Sequence, residues 1–552
     1  MRALWRVHPA DPEASRGFAC ALGVHPLTAQ VLLNRGVRHP DAARRFFSPR
    51  MEEADEPEVL PDMALAVVRI RRAIAAREPV LVFGDSDVDG VSASLIVEET
   101  LSALGGVVQV QLSRRLADGY GLPQATVRHL ARSAVKLLVM VDCGTNQLDA
   151  VRALAAHGLD TVIVDHHVPQ AAEPAGDGEG RPCALINPRC GGEARGRELC
   201  SAGLALKLAQ ALLGRGAARW RELLDVAALG TLADYSPMTG DNRAIVAEGV
   251  PQIVDSPRPG LRRLCEEMRV GRGSADQVLR RLVPRLNACG RLGDASAAWK
   301  VLRRDPGGEL DEWLGQTRRA HEQTRRLHRE VIADATEQVN RLHFRDQAVV
   351  IVSRQGWPQG LMGPLAAQLS QRYARPAIAV AMGETEGVGS GRSVPQVNLL
   401  SALTACAPWL LKFGGHAQAC GVTIRREQFP QFQDAVNQHV RRLLGSQGWS
   451  RTITADCEAE LGEVTPAWVK ELERFAPFGI GNPRPSVLLR GVRVETSARE
   501  GTRLSDGSHR LRTRGTLVSA LGPDQIDVIA SPSCVGGDVT LTVQDAKGSA
   551  VP

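Results

Sequence analysis

The sequence predicts an α/β protein with a parallel sheet, a long connecting helix, a second α/β domain and a C-terminal β-barrel. Three observations predict this architecture. Short apolar runs alternate with helical segments from about residue 62, a long charged segment without Pro or Gly follows residue 315, and the last hundred residues hold short β-like runs between Gly, Ser and Asp. Continuous apolar runs are typical of buried parallel strands, and short runs between turn residues are typical of barrels.

The changes in pattern divide the chain into five expected segments. The acidic, Pro-containing stretch 52–61 predicts a loop, and the charged segment 309–344 predicts the long helix. We expect an N-terminal helical segment at 1–60, the first α/β domain at 61–245, a helical linker region at 246–345, the second α/β domain at 346–450, and the barrel at 451–552.

Composition and net charge limit the classes of protein to which this chain can belong. The chain has 552 residues, 67 Lys and Arg against 61 Asp and Glu, and therefore a net charge of +6. A charge this small means that any nucleic-acid site must gather its basic residues locally. The 11 cysteines show no paired framework, and neither a signal peptide nor a membrane-spanning stretch is visible. We expect free thiols, a cytoplasmic location and no membrane contact.

Three of the predicted strands run directly into acidic residues. The apolar runs are 80–83, 107–112, 137–141, 161–164 and 184–186, and Asp85, Asp142 and Asp165 follow the first, third and fourth of them. Ligands of open α/β sheets sit beyond the carboxyl ends of the strands. The pattern therefore predicts that three acids meet at one edge of the sheet.

The densest acidic motif is Gly84-Asp85-Ser86-Asp87-Val88-Asp89-Gly90. Three carboxylates within five residues repel one another unless cations lie among them, and oxygen ligands at this density suit Mg²⁺ or Mn²⁺. The alternatives are a solvated acidic turn or a calcium loop. A calcium loop of the EF-hand kind needs a helix on each side, whereas a strand is predicted before this motif.

Two further segments extend the candidate metal site. Asp165-His166-His167 follows a predicted strand, and Asp234 ends the segment Gly230-Thr231-Leu232-Ala233-Asp234. Taken singly, the histidines could be hydrogen-bonded core residues and the aspartates could be helix caps. Taken together, carboxylates and imidazole favour Mn²⁺ over Ca²⁺. They could hold two ions about 3.5–4 Å apart from each other. Such a pair of ions activates a water and stabilises charge on a phosphate.

These segments resemble the ordered motifs of the DHH phosphoesterases. The resemblance rests on residues 85–90, Asp142, 165–167 and 230–234. Residues 414–421 (GGHAQACG) resemble the signature of the accompanying DHHA1 domain. Segments 115–122, 284–291, 389–393 and 477–483 are similar to those of the RecJ family within that superfamily. The resemblance covers about residues 20–490 and implies a DHH domain, a DHHA1 domain and an OB-like barrel.

The resemblance implies an exonuclease specific for single-stranded DNA. It implies 5′ to 3′ hydrolysis that releases 5′-mononucleotides, dependence on two Mn²⁺ or Mg²⁺ ions, and a role in DNA recombination and repair. A cleft between the first two domains would admit single-stranded but not duplex DNA. A single-strand-binding protein or a helicase is a further expected partner, and the expected state is a monomer.

Residue roles also follow from the resemblance. Asp87, Asp89, Asp142, His166 and Asp234 would bind metal, with Asp142 as the bridge and Asp85 as a ligand or as a partner of the ligands. His167, with Asp165, would be catalytic and face the scissile phosphate. The residues that would contact DNA are Arg115, Ser390 and Arg392 at the terminal phosphate, Arg285, Asn287 and Arg291 along the strand, and Gly414, Gly415 and His416. Each arginine could instead be a salt-bridge partner.

The chain also departs from the family pattern. Pro358 stands after Trp357 where the family usually has His, Ser86 replaces a usual aromatic residue, and Ser113 replaces a usual Pro. The least similar part is the C-terminal one, where eight arginines between residues 484 and 514 suit single-stranded DNA or form a solvated surface. Tyr120, Trp357 and Phe478 are the candidates for base stacking.

Two other functions remain open at this point. One is an oligoribonuclease or dinucleotide phosphodiesterase, against which the extra C-terminal barrel counts. The other is a nuclease-inactive DNA-binding scaffold, which predicts the loss of metal ligands, although every expected ligand is present.

Overall fold

The computed structural model describes residues 3–114, 117, 119, 121–169, 184–190, 195–341, 347–445, 449, 452–497, 501–514, 525–535 and 537–549. The chain forms two compact units. One unit combines Met1–Arg50 with Trp449–Pro552, and the other comprises Met51–Gly448. Among the described residues, no helix has both the length and the apolar character that crossing a bilayer requires.

The chain begins with one strand and three helices of the first unit. These are β1 (Leu4–Val7), α1 (Pro12–Leu22), α2 (Pro26–Asn34) and α3 (Pro40–Phe47). Each helix starts with a proline, whose fixed φ suits the first helical position and whose missing N–H would have no partner there. Asp11 caps α1 by accepting a hydrogen bond from the Ala14 N–H at 3.0 Å.

The second unit opens with a five-stranded parallel sheet in the order β3-β2-β4-β5-β6. Its elements are α4 (Met63–Ala75), β2 (Pro79–Gly84), α5 (Val88–Ala103), β3 (Val107–Leu112), α6 (Gln124–Leu130), β4 (Leu137–Val141), α7 (Leu148–Ala155), β5 (Asp160–Val164) and β6 (Ala184–Ile186). The five predicted strands are confirmed.

Both faces of this sheet are covered, which explains why its central strands are apolar throughout. Val82, Val139 and Val162 pack into the core on one face, whereas Phe83 and Met140 pack into the core on the other face. Such two-sided burial is the usual condition of a parallel sheet.

A helical region follows the sheet and leads to the long helix. The helices are α8 (Ser201–Leu213), α9 (Leu224–Ala233), α10 (Gly240–Val254), α11 (Pro259–Met268), α12 (Val283–Arg291), α13 (Ser296–Leu302) and α14 (Leu310–Arg341). Leu314, near the start of α14, belongs to the core of the parallel-sheet domain. Val331, Ala335 and Val339, near its end, belong to the core of the next domain. The predicted connecting helix is confirmed over its described length.

A second, mixed sheet completes this unit, in the order β10-β11-β9-β8-β7. Its elements are β7 (Val350–Gln355), α15 (Met362–Tyr373), β8 (Ala377–Met382), β9 (Glu386–Arg392), α16 (Leu399–Ala405), β10 (Lys412–Gly415), β11 (Ala419–Arg425) and α17 (Phe429–Leu444). β7 and β8 are parallel, and the other neighbours are antiparallel.

The last part of the chain forms the predicted OB-like barrel of the first unit. Its elements are β12 (Thr452–Ala455), β13 (Cys457–Glu458), α18 (Pro466–Glu473), β14 (Val487–Ser497), β15 (Gly501–Ser505), β16 (Arg510–Arg514), β17 (Ile526–Val535) and β18 (Asp538–Gly548). β14, β15, β16, β18 and β17 pair in that order, and β17 pairs back with β14, which closes a five-stranded ring. A closed or partly open five-stranded barrel is the OB architecture.

The start of the chain is built into this same unit. β1 pairs in parallel with β12, and Val31 and Leu32 of α2 share a core with Trp468 and Phe475. The two chain ends therefore fold together, although more than 400 residues separate them.

Candidate active site and metal centre

Three acidic residues lie at equivalent ends of adjacent strands. Gly84 of β2 is in register with Val141 of β4, and Val141 is in register with Val164 of β5. The residues that follow these positions are Asp85, Asp142 and Asp165, and all three are buried. The structure thus brings together the acids that the sequence places after separate strands.

The first group of candidate ligands comprises Asp85, Asp87 and Asp142, each of which offers an oxygen atom within 4.8 Å of the others. Asp85 Oδ1 is held by the Ser113 hydroxyl at 2.6 Å and by the Ser86 N–H at 2.8 Å. Asp87 caps α5, since its Oδ1 accepts hydrogen bonds from the backbone at the start of that helix. Both carboxylates are therefore fixed in position, Asp85 by Ser86 and by Ser113 after β3, and Asp87 by the start of α5.

The second group comprises Asp89, His166 and Asp234. The His166 Nε2 lies 3.9 Å from Asp89 Oδ2 and 3.5 Å from Asp142 Oδ1, and its Nδ1 lies 3.9 Å from Asp234 Oδ2. A third set joins Asp142, His166 and His167. Because Asp142 and His166 each occur in two sets, the candidate ligands form one continuous cluster.

The start of α8 donates hydrogen bonds to two carboxylates of this cluster. The Ser201 and Ala202 N–H groups donate to the two oxygens of Asp89 at 3.0 and 2.9 Å, and the Ser201 hydroxyl donates to Asp142 Oδ1 at 2.9 Å. The N–H groups at a helix start carry partial positive charge. They partly offset the negative charge of Asp89 and hold its oxygens in place.

The carboxylates remain electrostatically unfavourable without a cation. Burial raises the pKa of Asp89 well above its ordinary value, and the charges of Asp142 and Asp234 raise it further. Burial raises the pKa of Asp142 in the same way, and Asp87 adds to the effect. Negative charges that are forced together and partly desolvated favour a bound divalent cation. The donor set of carboxylate oxygens and one imidazole fits Mn²⁺ or Mg²⁺.

His167 is oriented by Asp165 rather than by the metal cluster. The His167 Nδ1 lies 2.7 Å from Asp165 Oδ1, which also accepts hydrogen bonds from the His166 and His167 N–H groups. Burial lowers the pKa of His167, but the Asp165 charge and hydrogen bond outweigh it and raise this pKa to about 8. Burial raises the pKa of Asp165, whereas the charge of His167 more than reverses this and leaves it below its ordinary value.

The second sheet brings a third histidine to the same place. The His416 ring centroid lies 6.3 Å from that of His166 and 5.9 Å from that of His167. Burial and the nearby Arg189 lower the pKa of His416 to about 4, so this ring is neutral near pH 7. The hairpin that carries His416 requires glycine at position 415, because the φ there is +132° and a Cβ would lie 2.3 Å from the Ala419 carbonyl oxygen. Gly414 precedes it in β10.

Ser390 and Arg392 lie side by side on β9, facing the start of α15. A Cβ at Gly363 would lie 3.2 Å from the Arg392 Nη2 and 3.9 Å from the Ser390 Oγ. A guanidinium and a hydroxyl group therefore lie together beside the start of α15, and such a pair of donors suits an anionic group. Arg115, the third residue expected there, lies outside the described residues.

The helix α12 lies against the metal loop. Its Asn287 Oδ1 accepts the Val88 N–H at 2.9 Å, and a Cβ at Gly290 would lie 2.2 Å from the Ser86 carbonyl oxygen. Burial lowers the pKa of Arg291, Asp87 opposes this shift, and Arg392 adds to it. Arg291 therefore lies close to both the metal loop and the Arg392 region.

Arg285 corrects an expectation, because it is buried and turned away from this site. Its Nη2 donates to Glu267 Oε2 at 2.8 Å and its Nε donates to Thr317 Oγ1 at 3.2 Å. With the guanidinium engaged in this way, Arg285 attaches α12 to α14 and does not line a strand path. The salt-bridge alternative is the better description of this residue.

Among the three expected stacking residues, Trp357 requires correction. Trp357 is buried, and its indole N–H donates to Asp334 Oδ2 at 2.9 Å. Phe478 packs under the Arg484 guanidinium, which lies 4.3 Å from the ring centroid. Tyr120 lies outside the described residues. Trp357 cannot present its ring to a base while it fills the core.

Several barrel arginines are engaged in ion pairs. Arg484 pairs with Glu473 at 2.6 Å, Arg490 with Glu458 at 2.7 Å, and Arg510 with Glu495 at 2.9 Å. Arg512 and Arg514 are exposed on β16. The basic character of the barrel is thus partly neutralised by acids that the sequence pattern did not pair with it.

Two residues at the site escaped the sequence analysis. Ser201 contacts Asp142 and Asp89, as described above. Arg189 follows β6, its pKa is lowered by burial, and the charges of Asp234 and Asp165 act against this shift. The available signal was position, because Asn187-Pro188-Arg189 follows the carboxyl end of a strand of the same parallel sheet.

Family models match three stretches of the chain. The DHH family N-terminal domain matches residues 79–231, the DHHA1 domain matches 346–442, and the RecJ OB domain matches 455–515. The matches agree with the three folded regions that the structure shows.

Several proteins similar to this chain bear the same name. The single-stranded-DNA-specific exonuclease RecJ of Thermus thermophilus is 31% identical over 94% of this chain and 73% of its own length. That of Dickeya dadantii is 31% identical over 83% of this chain and 82% of its own length. That of Bacillus subtilis is 29% identical over 94% of this chain, which spans 65% of the Bacillus protein.

Solved structures agree with these sequence relationships. The crystal structure of RecJ from Thermus thermophilus in complex with Mn²⁺ matches with a TM-score of 0.83 and 27% identity. The match covers 99% of this chain and 80% of that one. With its DHH, DHHA1 and OB domains and its carboxylate–histidine cluster, the chain belongs to the RecJ family of DHH phosphoesterases.

Proposed function

We propose that this protein is a metal-dependent exonuclease that degrades single-stranded DNA from the 5′ end and releases 5′-mononucleotides during recombination and repair. One observation carries the proposal above the rest. Asp142 and His166 link three sets of candidate metal ligands into one continuous cluster. The alternative of an inactive DNA-binding scaffold has no support in this cluster, because every expected ligand is present in it.

The ions would be Mn²⁺ or Mg²⁺, both of which occur in Thermus RecJ structures. Asp85, Asp87 and Asp142 would hold one ion, and Asp89, His166 and Asp234 the other, with Asp142 as the bridge. When bound, the pair would supply an activated water and stabilise negative charge on the phosphate. The N–H groups at the start of α8 would keep Asp89 in position.

Protonated His167 would bind the scissile phosphate. Its Nδ1–H points at Asp165 Oδ1, which leaves the Nε2–H for a phosphate oxygen. Such a charge-assisted hydrogen bond is stronger than one from a neutral ring. The neutral His416 beside it would contact the same phosphate without adding a second charge.

The 5′ end would be recognised by Ser390, Arg392 and the start of α15. A terminal phosphate carries up to about one more negative charge than an internal diester, so a small cationic region prefers it. Its contact with Arg392 should therefore select strand ends and place the first diester bond over the metal cluster.

This assignment is tested with Arg392→Ala on two substrates. Loss of a charge-assisted hydrogen bond costs about 1.5–3 kcal/mol, or roughly 10- to 150-fold. We expect that loss in kcat/KM for 5′-phosphorylated strands and a much smaller loss for 5′-hydroxyl strands. An equal loss on both substrates would place the terminal phosphate elsewhere.

The activity itself is tested with strands labelled at either end. Single-stranded DNA, duplex DNA and RNA of the same sequence are incubated with Mn²⁺ or Mg²⁺ and resolved by length. A 5′ label should appear at once as mononucleotide, whereas a 3′ label should shorten progressively. Rapid cleavage of the duplex would contradict specificity for single strands, and cleavage of dinucleotides alone would favour a dinucleotide phosphodiesterase.

We further propose a cytoplasmic monomer that works with a single-strand-binding protein or a helicase. Nine described cysteines, among them the exposed Cys20 and Cys534, are free thiols, which suits a reducing compartment. Sedimentation of the purified protein tests the monomer, and co-purification with tagged single-strand-binding protein tests the partner.

A further inference from the structure

Tyr235 is an exposed aromatic residue at the edge of the metal cluster. It directly follows the candidate ligand Asp234, and 60% of its surface is exposed. Exposed single aromatics are common on proteins, but this chain has only 3 Tyr, 8 Trp and 10 Phe. The position of Tyr235 therefore requires an explanation.

The backbone at Tyr235 adopts an energetically costly conformation. The residue has φ 56°, in the left-handed region that few residues other than glycine adopt. It ends α9 in a Schellman arrangement, in which the Tyr235 N–H donates to the Leu232 carbonyl and the Ser236 N–H donates to the Thr231 carbonyl, each at 3.2 Å. Glycine is the usual residue at this position. A strained non-glycine residue beside a functional site is a reason to look for a function.

Two arginines lie on elements that pack against α9, the helix that Tyr235 ends: Arg291 on α12 and Arg280 on the segment Val278–Leu282. Burial lowers the pKa of Arg291, and both Asp87 and Tyr235 oppose that shift. The Asp276 carboxylate raises the pKa of Arg280, and Tyr235 adds to it. Tyr235 therefore lies on the same part of the fold as these two arginines, of which Arg280 is also paired with Asp276 at 2.6 Å. An exposed aromatic ring on a basic surface is a usual arrangement for binding a single strand.

We propose that the Tyr235 ring stacks on the base of a nucleotide beside the scissile phosphate, which positions that phosphate over the metal cluster. This inference rests on the proposed nuclease function. Stacking needs no particular base, because every base has a π face, so Tyr235 would support cleavage of any sequence. The residue would take the place of the buried Trp357 among the expected stacking residues.

The test combines a Tyr235 variant with abasic substrates, in the full chain with Mn²⁺. Tyr235→Gly removes the ring and relieves the backbone strain, so its unfolding temperature should equal or exceed that of wild type. On an intact 5′-phosphorylated strand its kcat/KM should fall about 5- to 150-fold, since a stacked base contributes roughly 1–3 kcal/mol. Tyr235→Phe should keep wild-type kcat/KM.

Abasic sites locate the base that the ring contacts. Placed in turn at the first few positions, one abasic site should lower wild-type kcat/KM by a factor similar to that of Tyr235→Gly. With the abasic site at that position, Tyr235→Gly should have the same kcat/KM as on the intact strand, because the ring and the base act as one pair. Ala374→Gly is the matched control: Ala374 also ends a helix at φ 51°, and its replacement should leave cleavage unchanged.

Three results would overturn the inference. These are wild-type cleavage by Tyr235→Gly, a full abasic penalty at every position in that variant, or a loss in Tyr235→Phe equal to that in Tyr235→Gly. Cleavage of the intact strand by wild type is measured in the same series. Its absence would refute the proposed nuclease function, whereas its presence with any of the three results would refute only the role of Tyr235.

Discussion

At the scale of single residues, the site is defined by charges that the fold forces together. Asp89 and Asp142 are buried within a cluster of acids, and burial is the main cause that raises the pKa of each. The helix start at Ser201 offsets only part of this charge. The residues therefore gain most from a bound cation, and their replacement should separate metal binding from folding.

Asp142→Asn should abolish cleavage while preserving the fold. Asn tolerates the positive φ of 61° at this position, and removal of one charge relieves repulsion among the remaining carboxylates. We expect activity to fall by at least about 10²–10³-fold, with a metal-free unfolding temperature no lower than that of wild type. Mn²⁺ should raise the unfolding temperature of wild type more than that of the variant.

The control for this variant is Asp149→Asn, which changes an aspartate whose side chain is 97% exposed. It should leave both activity and the response to Mn²⁺ unchanged. Wild-type cleavage by Asp142→Asn would refute the assignment of Asp142 as a bridging ligand.

Asp165→Asn should change the protonation of His167. In the metal-free protein, burial lowers the His167 pKa but Asp165 raises it to about 8. This pKa lies above the unfolded value of about 6.5, so protonation of His167 stabilises the fold fully below about pH 6.5, as long as Asp165 stays ionised. Its contribution is lost as the pH rises through about 8. In the variant, NMR titration should show the His167 pKa near or below 6.5, and cleavage should fall about 10²–10⁴-fold.

An unchanged His167 pKa in Asp165→Asn would show that another group holds the proton. An unchanged rate with a lowered pKa would show that the proton is not used in cleavage.

At the scale of elements, close approach of backbone positions the site. The helix α12 contacts the metal loop through Gly290, where a Cβ would lie 2.2 Å from the Ser86 carbonyl oxygen. The same helix carries Asn287, which binds the Val88 N–H, and Arg291. A displacement of α12 would thus reach several site residues at once.

Gly290→Ala should therefore lower cleavage and stability together. Overpacking of this kind costs about 1–3 kcal/mol, and the shift would move Asn287 away from the metal loop. The matched control is Gly315→Ala in α14, where a Cβ would meet only the flexible Arg319 side chain, at 3.3 Å. That change should stabilise the fold by about 0.5–1 kcal/mol without altering the rate. Denaturant unfolding and initial rates measure both effects, and equal behaviour of the two variants would contradict this account.

At the scale of the whole molecule, the chain ends share one folded unit. Residues 1–50 pack with residues 449–552 around a common core that includes Leu32 and Trp468. Removal of the barrel alone would expose the apolar surfaces of α1 and α2. A meaningful truncation must therefore remove both ends and leave residues 51–448.

The fragment 51–448 should keep cleavage of very short strands and lose affinity for long ones. Its binding to long strands should also respond less to salt, since each lost phosphate contact lowers the slope of log K against log salt by about 0.7 for a single strand. Removal of 449–552 alone should yield an aggregating protein. Fluorescence anisotropy at several salt concentrations measures the slopes, and an unchanged affinity would mean that the exposed arginines of β16 do not contact DNA.

The sequence by itself determined the parallel sheet, the long helix and the meeting of the acids at one sheet edge. These features depend on local patterns, because an apolar run marks a buried strand and the residue after it lies at the strand's carboxyl end. Only the tertiary structure decided the direction of Arg285, the burial of Trp357, the exposure of Tyr235 and the union of the chain ends. Each of these depends on partners distant in sequence, such as Glu267 for Arg285 and Asp334 for Trp357. A pattern of neighbouring residues shows that a side chain can be charged or aromatic, whereas packing decides what it contacts.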